Sequence, residues 1–433
     1  MDGTMNSEPV ATPFKRLTFG IIFGYACMMI ALITPAILLL TFKMIEISPN
    51  DYTSTFGLVA GIGAFFAMIG NPIGGAVSDR TNVAFGRRRT WIIAGPIVGC
   101  ACLLWIGMAT ELWQVATAWA IAQFFFNCGM AAYHALIPDQ VPVEKQGTLS
   151  GILGLVTPIA IVIGMALMTF MTDAAPITKW AALSIIGIIG PIISAFIIKD
   201  GKNTVARVNS THIPLVKRFS AIYPSPRRYP EFTWAFISKF LLMMGFSSSV
   251  YLSVMLMNRM GYSEAEATSG VATLQMISLA AMALTSVIGG TLSDKAKKQK
   301  SFLYGSAFIM LIGTLIFAFM PNYSAFIIAT VIIGLGAGCF TAVDTALVAR
   351  ILPRKEDSAK DFGLMNVANA LPQSIVPAIA PLLLAIGGWS FFYITLAACL
   401  LASILATKPL PEIGEPFGPK KQHASADPKS KGI

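Results

Sequence analysis

The chain has 433 residues, of which 55% are hydrophobic and only 12% are charged, and its formal net charge is +10. A soluble domain usually carries about 25% charged residues, so this composition excludes an ordinary soluble fold. The surface of the protein is therefore expected to face lipid over most of its area.

Apolar runs long enough to cross a bilayer recur along the whole chain. About 20 residues in a helix span a hydrocarbon core of about 30 Å, and a helix satisfies its own backbone groups in lipid. The first run is too long for the apolar region of a signal peptide, and no small-residue cleavage site follows it, so it is predicted to be a retained helix. The sequence thus predicts an all-α membrane protein with twelve transmembrane helices, at 17–41, 53–77, 90–109, 112–136, 148–171, 179–198, 232–258, 265–292, 301–320, 322–348, 361–386 and 388–407.

The basic residues are concentrated on one side of the predicted membrane. Of the 31 Lys and Arg, 27 lie in the N-terminus, in the connections that follow even-numbered helices, and in the C-terminal tail. By the positive-inside rule, this asymmetry predicts an inner or plasma membrane protein with both termini in the cytoplasm. The basic excess therefore reflects orientation, and no nucleic-acid partner is expected. The six cysteines all fall in predicted helices, so no disulfide framework is readable.

The two halves of the chain share a repeated motif. GGAVSDR at 74–80 recurs as GGTLSDK at 289–295, an offset of 215, and Ala135-Leu136 recurs as Ala346-Leu347, an offset of 211. Duplicated halves are typical of transporters built from parallel repeats. We predict two pseudo-symmetric six-helix bundles and two polar segments: a first bundle at 1–198, a cytoplasmic linker at 199–231, a second bundle at 232–407 and a cytoplasmic tail at 408–433.

The loop between helices 2 and 3 carries the most specific motif. After GGAVSDR come five residues, then Gly86 and the cluster Arg87-Arg88-Arg89. This loop resembles the hallmark of the major facilitator superfamily, and the resemblance extends over essentially the whole chain. The long form of the loop, the Asn71-Pro72 step and AKDFGLMN at 359–366 resemble the sucrose carriers and the glycoside–pentoside–hexuronide symporters.

The resemblance implies that this loop belongs to a latch that holds the outward-open state and breaks when the carrier turns inward. Asp79 would accept hydrogen bonds from the N-terminus of helix 11, and the arginine cluster would face Asp139. In the alternative interpretation, the arginines only anchor the loop at lipid headgroups. The aspartate in both halves favours the latch, whose predicted residues are Asp79, Arg80, Gly86, Arg87, Arg88, Arg89, Asp139 and Asp294.

Few ionisable residues lie well inside the predicted helices, where charge is costly and usually functional, and the candidates are His134, Lys239 and Asp344. The superfamily resemblance implies that helices 1, 4, 7 and 10, which include all three, line a central cavity. Lys239 and Asp344 would both lie about 7–11 Å from the cytoplasmic surface, so they can form a pair. Asp344 could then take up a proton and release Lys239 in each cycle. The alternatives are a static pair, or a Lys239 that extends to the headgroups.

His134 titrates near neutral pH, which suits proton handling. Its position near the interface nevertheless favours a solvated or Asp139-linked structural histidine. A set of uncharged polar residues also falls within the helices. Amides offer paired donors and acceptors that suit hydroxyl-rich ligands, although bridging hydrogen bonds between helices are the alternative. The candidate substrate-binding residues are Tyr25, Gln123, Asn127, Gln275, Asn366, Asn369 and Gln373.

Two positions depart from the resemblance. Sodium-coupled sugar symporters carry acidic residues on helix 2, where this chain has Ala67 and Asn71, so that cation site is expected to be absent. The sucrose carriers carry an aspartate on helix 4, where this chain has Gln123, which cannot titrate. Proton coupling through an acid on helix 4 is therefore not expected. The two remaining possibilities are proton coupling through Asp344 and facilitated diffusion without a proton.

The first functional hypothesis is a secondary transporter for a sugar or glycoside that works by alternating access, with proton symport. Its expected partners are the small-molecule substrate, protons and the bilayer, and the protein is expected to be a monomer without a cofactor. The second hypothesis is proton-driven efflux of amphipathic compounds, which a methionine-rich cavity would suit. A membrane receptor would be favoured by a long cytoplasmic domain, and none is readable. The sequence contains no metal-ligand cluster, nucleophile elbow or phosphate loop, so an enzyme is not expected.

Overall fold

The computed structural model describes residues 12–200, 226–227, 229–296, 298–351, 358–410 and 412. Most of the predicted linker and tail therefore lies outside the described residues. The helices are α1 (Phe14–Ile47), α2 (Tyr52–Arg80), α3 (Arg87–Met108), α4 (Leu112–Gln140), α5 (Val143–Phe170), α6 (Pro176–Ile197), α7 (Pro230–Met260), α8 (Glu264–Ala296), α9 (Gln299–Phe319), α10 (Tyr323–Ile351) and a final segment, Ser358–Thr407.

The final helical segment contains two membrane helices. Its backbone leaves helical geometry at Gly387 and Gly388, and Gly388 has a φ of +65°, which glycine adopts readily because it has no Cβ. The chain turns there, so α11 covers 358–387 and α12 covers 388–407.

The helices are long and apolar enough for a membrane protein. Ten described segments qualify as membrane spans by length and composition, and one of these ten contains both α11 and α12. Helix α5 adds a shorter apolar stretch, Leu155–Phe170. The described part of the chain thus has the twelve predicted helices, and the prediction of an all-α membrane fold is confirmed.

The two halves pack in the same way. In the first half, α4 contacts α2 and α3, and α6 contacts α1 and α3. In the second half, α10 contacts α8 and α9, while α7 and α9 both pack against the α11–α12 segment. Between the halves, α2 meets the α11–α12 segment and α5 meets α8. The repeat predicted from the sequence therefore corresponds to two bundles with related internal packing, while their exact boundaries stay a prediction.

One contact recurs in both halves with the spacing of the sequence repeat. Gly74 on α2 lies against Cys128 on α4, and Gly289 on α8 lies against Cys339 on α10. The glycines are 215 residues apart and the cysteines 211 apart, the same two offsets as in the repeated motifs. A Cβ at either glycine would overlap the facing cysteine, so the missing side chain lets each helix pair approach closely.

The bundle has two chemically different ends. We call the end where α1 begins and α2 finishes at Arg80 the basic end, and the end where α1 finishes and α2 begins the far end. The halves touch at the far end, where the hydroxyls of Thr41 and Ser253 lie 2.8 Å apart and Ser253 donates to the Ile37 carbonyl over 2.6 Å. Gly57 on α2 lies against Pro381 of the second half.

Both helices of this far-end contact are irregular. Helix α1 has a π-helical turn at Pro35–Leu39, and α7 has a 3-10 turn at Ser247–Tyr251. Proline has no N–H and crowds the preceding turn, which accounts for the widened turn that starts at Pro35. Such turns change which carbonyls are bonded within the helix, and the Ile37 carbonyl in this turn accepts the Ser253 hydroxyl.

Candidate functional site

A cavity of about 320 Å³ lies among α7, α8, α10 and α11. It extends from Val348 and Met365, near the basic end, to Ala337 and Gln373, closer to the middle of the bundle. The cavity thus lies on the side of the bundle away from the far-end contact between the halves. Its lining residues are Lys239, Met243, Phe246, Met282, Ala337, Phe340, Thr341, Asp344, Val348, Met365, Asn369 and Gln373.

Lys239 and Asp344 form an ion pair in the wall of this cavity. The Lys239 ammonium donates to the Asp344 carboxylate over 2.7 Å, and the two side chains are only 10% and 9% exposed. Helix α7 supplies the lysine and α10 the aspartate, so the pair joins two helices of the same half. Each charge compensates the other in surroundings where an unpaired charge would be strongly unfavourable. The structure brings together the two residues that sequence position predicted to meet.

The rest of the cavity wall is mostly apolar. Three methionines and two phenylalanines line it: Met243, Met282, Met365, Phe246 and Phe340. Methionine side chains are flexible and polarisable, so such a wall can adapt to differently shaped apolar groups.

Two of the predicted amides lie in the cavity wall. Asn369 and Gln373 follow one another by one turn on α11, and the Gln373 amide donates to the Asn369 carbonyl over 3.5 Å. The side chain of Asn366, the third member of this set, lies outside the described residues. Gln275, on α8, is half-buried and is not among the cavity-lining residues.

The predicted polar residues of the first half form a separate group on α1 and α4. The Tyr25 ring is buried against His134, with ring centres 5.5 Å apart, while His134 itself is exposed. The Asn127 amide donates to the Gln123 carbonyl over 2.8 Å within α4, so one of its donors is used by its own helix. The structure therefore pairs Tyr25 with His134 and Gln123 with Asn127, and the ion pair and its amides lie in the other half.

The repeat offsets identify the first-half counterparts of the ion pair. Subtracting 215 from Lys239 gives Gly24, and subtracting 211 from Asp344 gives Tyr133. Gly24 lies directly against the Tyr133 hydroxyl, so the contact between the helices is preserved while its charges are not. Among the described residues, the buried charge pair therefore distinguishes the second half from the first.

At the basic end, Arg88 is the centre of the loop network. Its guanidinium binds the Asp139 carboxylate at 2.8 Å, Asp79 at 2.5 Å and the Ser78 hydroxyl at 2.8 Å. Arg87 also binds Asp139, at 2.9 Å. A buried arginine with several fixed acceptors holds its neighbours in a defined geometry. These bonds join α2, α3 and α4 of one half, so the predicted latch between Asp79 and α11 stays a prediction.

The other predicted latch residues have different surroundings. Arg89 donates to the Ala195 carbonyl over 2.6 Å and lies over the Phe85 ring, at 4.2 Å. It therefore binds α6, whereas Arg87 and Arg88 bind Asp139. Arg80 is exposed, and the side chain of Asp294 lies outside the described residues.

Asp200, which follows α6, caps the N-terminus of α3. Its carboxylate accepts hydrogen bonds from the backbone of Arg88 at 2.6 Å and of Arg89 at 3.3 Å, next to Gly86. A carboxylate at this position satisfies free backbone donors and interacts favourably with the helix dipole. The cap fixes the start of α3 to the end of α6.

The second half repeats this cap. Glu412, which follows α12, accepts a hydrogen bond from the backbone of Lys300 on α9 at 3.2 Å, and the Lys300 ammonium donates to the Lys408 carbonyl. Asp200 and Glu412 are 212 residues apart, close to the repeat offsets. The sequence analysis did not identify either acid. A search for acidic residues after the last helix of each half, about 212 positions apart, could have found them.

A twelve-helix bundle with two related halves, closed at one end and with a cavity near the other, is the architecture of a membrane transporter. The family model of the Major Facilitator Superfamily matches residues 17–320 and 268–431. The chain belongs to that superfamily.

Three solved structures share the fold. A D-xylose–proton symporter matches with a TM-score of 0.65 and 16% identity, and the match covers 92% of this chain and 97% of the symporter chain. A bacterial homolog of the human lysosomal transporter Spinster, in an inward-facing and unoccupied conformation, has a TM-score of 0.61 and 14% identity, covering 91% and 94%. A nucleoside transporter, NupG, has a TM-score of 0.68 and 11% identity, covering 90% and 99%. At these identities the likeness concerns the fold alone.

Among curated proteins, the multidrug resistance protein B homolog of Mycobacterium tuberculosis, from strains CDC 1551 / Oshkosh and ATCC 25618 / H37Rv, is 29% identical over 147 residues. The match covers 31% of this chain and 26% of that protein, so the chain spans about a quarter of the length of the relatives it matches.

Proposed function

We propose that the chain is a proton-coupled secondary transporter that moves a small solute by alternating access. The observation that carries this proposal is the buried pair of Lys239 and Asp344 in the cavity wall. A proton on Asp344 removes the attraction that holds Lys239, so the pair can respond to protons and to solute at the same place. Loading of the cavity and protonation are then coupled through one carboxylate.

The proposed location is the inner or plasma membrane, with the basic end and both termini in the cytoplasm and the protein as a monomer. The asymmetry of Lys and Arg along the chain supports this orientation. With the far end closed and the cavity near the basic end, the described conformation is then inward-facing.

The network at the basic end is proposed to act as the latch of the opposite, outward-open state. When the basic ends of the two halves approach each other, Asp79 would exchange its bond to Arg88 for the N-terminus of α11. The 59% exposure of the Asp79 side chain supports this exchange, because its carboxylate is accessible to a second partner. Arg88 keeps Asp139 throughout.

The proposed solute is a sugar or a glycoside. The resemblance of the helix 2–3 loop and of the segment at 359–366 to the sucrose carriers and the glycoside–pentoside–hexuronide symporters supports this class. The amides of Asn369 and Gln373 in the cavity wall are suitable partners for hydroxyl groups.

The second candidate is proton-driven efflux of amphipathic compounds. The methionine and phenylalanine wall of the cavity favours it, as does the partial match to a protein described as a multidrug resistance homolog. The two candidates differ in the direction of transport and in the solute, while the proposed proton site is common to both.

Uptake of labelled disaccharides into membrane vesicles, with and without a pH gradient, tests the proposal. We expect saturable uptake that requires the gradient and is competed by glycosides. Dye resistance of the cells without any sugar uptake would instead support efflux. Uptake that is unaffected by collapsing the pH gradient would contradict proton coupling in either form.

A further inference from the structure

We propose that the first half carries a site for one anionic phospholipid on the outer face of α3, at the basic end. The lipid phosphate binds the guanidinium of Arg89, and one acyl chain lies in an apolar groove along α3. This site goes beyond the proposed transport function and is independent of the solute that is carried.

The groove has a volume of about 400 Å³ and lies on the exposed side of α3. It is lined by Phe85, Thr90, Ile93, Ala94, Ile97 and Val98. Phe85 and Ile97 are 38% and 41% exposed, so the groove faces the surroundings of the bundle. From Thr90 to Val98 it follows the helix for about 12 Å, most of the roughly 15 Å of hydrocarbon in one leaflet. Its length and chemistry suit an acyl chain.

The ring of Phe85 forms the wall of the groove nearest the basic end. It packs edge-to-face against Phe196 on α6, with ring centres 6.5 Å apart, and the Arg89 guanidinium lies over it at 4.2 Å. The loop that carries this ring is bonded to α3, because the Trp91 indole donates to the Thr81 hydroxyl over 2.9 Å. The aromatic wall and the guanidinium are therefore held together at one end of the groove.

Arg89 has the donors that a phosphate needs. Its Nε donates to the Ala195 carbonyl over 2.6 Å, which fixes the guanidinium beside α6. Within the described part of the chain, the two terminal nitrogens of Arg89 have no hydrogen-bond partner. A guanidinium binds phosphate oxygens through such paired donors, and basic sites of this kind beside membrane helices bind anionic headgroups.

The charge around Arg89 favours an anionic lipid over a zwitterionic one. The loop and the start of α3 carry four arginines, at 80 and 87–89. The carboxylates that bind this region are three, Asp79, Asp139 and Asp200, and the first two form ion pairs with Arg87 and Arg88. One positive charge is left over, and a lipid with one net negative charge compensates it.

The second half provides an internal comparison. The repeat offset falls from 215 to 211 across this region, so the first half has four more residues here, and Phe85 lies in that longer loop. The counterpart of Arg89 is Lys300, whose ammonium binds the Lys408 carbonyl after α12 much as Arg89 binds α6. Between Asp294 and Lys300 there is no aromatic residue. The second half therefore keeps the basic group without the aromatic wall, and the longer loop adds the lipid site to the first half.

A lipid in this groove contacts α3, α6 and the loop between α2 and α3 at once. A ligand that binds the folded state stabilises it in proportion to the logarithm of its concentration above its dissociation constant. Anionic phospholipid should therefore raise the thermal stability of the protein in detergent.

Two lipids with identical acyl chains test the proposal on the purified full chain. Native mass spectrometry counts the lipid molecules that stay bound, and thermal unfolding follows a titration with dioleoyl phosphatidylglycerol or dioleoyl phosphatidylcholine. We expect one phosphatidylglycerol to be retained, with an affinity about tenfold higher than that of phosphatidylcholine, because the choline cation competes with Arg89 for the phosphate. The thermal midpoint should rise with phosphatidylglycerol.

Variants separate the two parts of the site. Arg89→Gln removes the charge and Ala94→Trp fills the groove, so each should weaken phosphatidylglycerol binding about tenfold. The matched controls are the repeat-related changes Lys300→Gln and Gly305→Trp, which should bind the lipid as the wild type does. Gly305 is exposed without close neighbours, so a tryptophan is accommodated there. Each variant is compared with its own thermal midpoint in detergent alone, which distinguishes loss of the site from failure to fold.

The outcomes decide the proposal directly. Weakening confined to Arg89→Gln and Ala94→Trp supports it. Equal affinity for the two lipids, no retained phosphatidylglycerol, or binding that neither variant weakens would overturn it. Equal weakening by Lys300→Gln would also overturn it, because binding would then follow overall charge. The test uses no solute, so its failure leaves the proposed transport function standing.

Discussion

Lys239 on α7 and Asp344 on α10 are bound at 2.7 Å inside the cavity, whereas the same positions of the first half are occupied by Gly24 and Tyr133. The contact between these two helices is therefore present in both halves, and at these positions the second half alone carries charged side chains. In the proposed carrier, this pair would be the coupling site, and the two halves would move around it as rigid bodies.

Asp344→Asn tests whether this carboxylate is the proton site. The amide has nearly the same shape and cannot carry the charge, so solute accumulation against a gradient should be lost while exchange of solute across the membrane continues. Counterflow of labelled solute in vesicles measures the exchange, and uptake under a pH gradient measures the accumulation. Asp173→Asn, at an exposed aspartate between α5 and α6, is the control. Accumulation that survives in Asp344→Asn would show that the proton binds elsewhere.

The energetic balance of the pair can be measured separately from transport. Lys239→Met leaves Asp344 buried without its partner, and removing one member of a buried pair typically costs about 3–5 kcal/mol. The double variant Lys239→Met with Asp344→Leu removes both charges and should regain most of the stability. Thermal unfolding of the purified protein in detergent gives the comparison. A double variant that is no more stable than the single one would mean that the pair does not act as a compensated unit.

Arg88 should contribute more to stability than its neighbour Arg80. Arg88 is buried and binds Ser78, Asp79 and Asp139, and a hydrogen bond to a charged group is worth about 1.5–3 kcal/mol. Arg88→Lys keeps the charge and loses the planar fork, so the thermal midpoint should fall clearly. Arg80→Lys, at an exposed arginine, should leave the midpoint nearly unchanged. Equal midpoints for the two variants would contradict the role of Arg88 as the centre of the network.

Closure of the far end depends on the close approach of α2 to the second half. Gly57 lies against Pro381 and the Tyr251 hydroxyl, so Gly57→Leu cannot be accommodated without separating the halves there. The variant should favour the conformation that is open at the far end, and a thiol placed at the far end should become more reactive towards impermeant reagents. Gly305→Leu, at an exposed glycine without close neighbours, is the matched control. Unchanged thiol reactivity in Gly57→Leu would show that this contact does not close the far end.

Much of the architecture was predictable because a membrane helix is recognised by one strong signal, a long apolar run. The first predicted helix, 17–41, corresponds to Phe14–Ile47 in the structure. The residues that the prediction missed at the end of this helix include Lys43. Its charge interrupts the apolar run, but Glu46 compensates that charge one turn away, so the helix continues. Lys239 and Asp344 could be predicted to pair because they lie at similar distances from the cytoplasmic surface and because charged residues are rare inside the membrane.

The remaining features depend on tertiary packing and have no comparable signal. Thr41 and Ser253 form the far-end contact, yet small hydroxyl residues are common in membrane helices and nothing in their spacing marks them. Asp200 and Glu412 lie beyond the helices that they help to fix, so only the repeat offset connects them. Under the proposed alternating access, the closed far end belongs to one of two packings of the same helices, and the free-energy difference between them leaves no pattern in the sequence.

The most direct test of alternating access is a pair of distance measurements on the same protein. Spin labels at Asn82 and Lys298 report on the basic end, and labels at Thr110 and Asn322 report on the far end, each introduced as cysteine in a background that lacks the native cysteines. Double electron–electron resonance should give two distance populations at each end, and adding solute at acidic pH should shift the two ends in opposite directions. Distances that stay fixed at both ends, or that change in the same direction, would contradict the account.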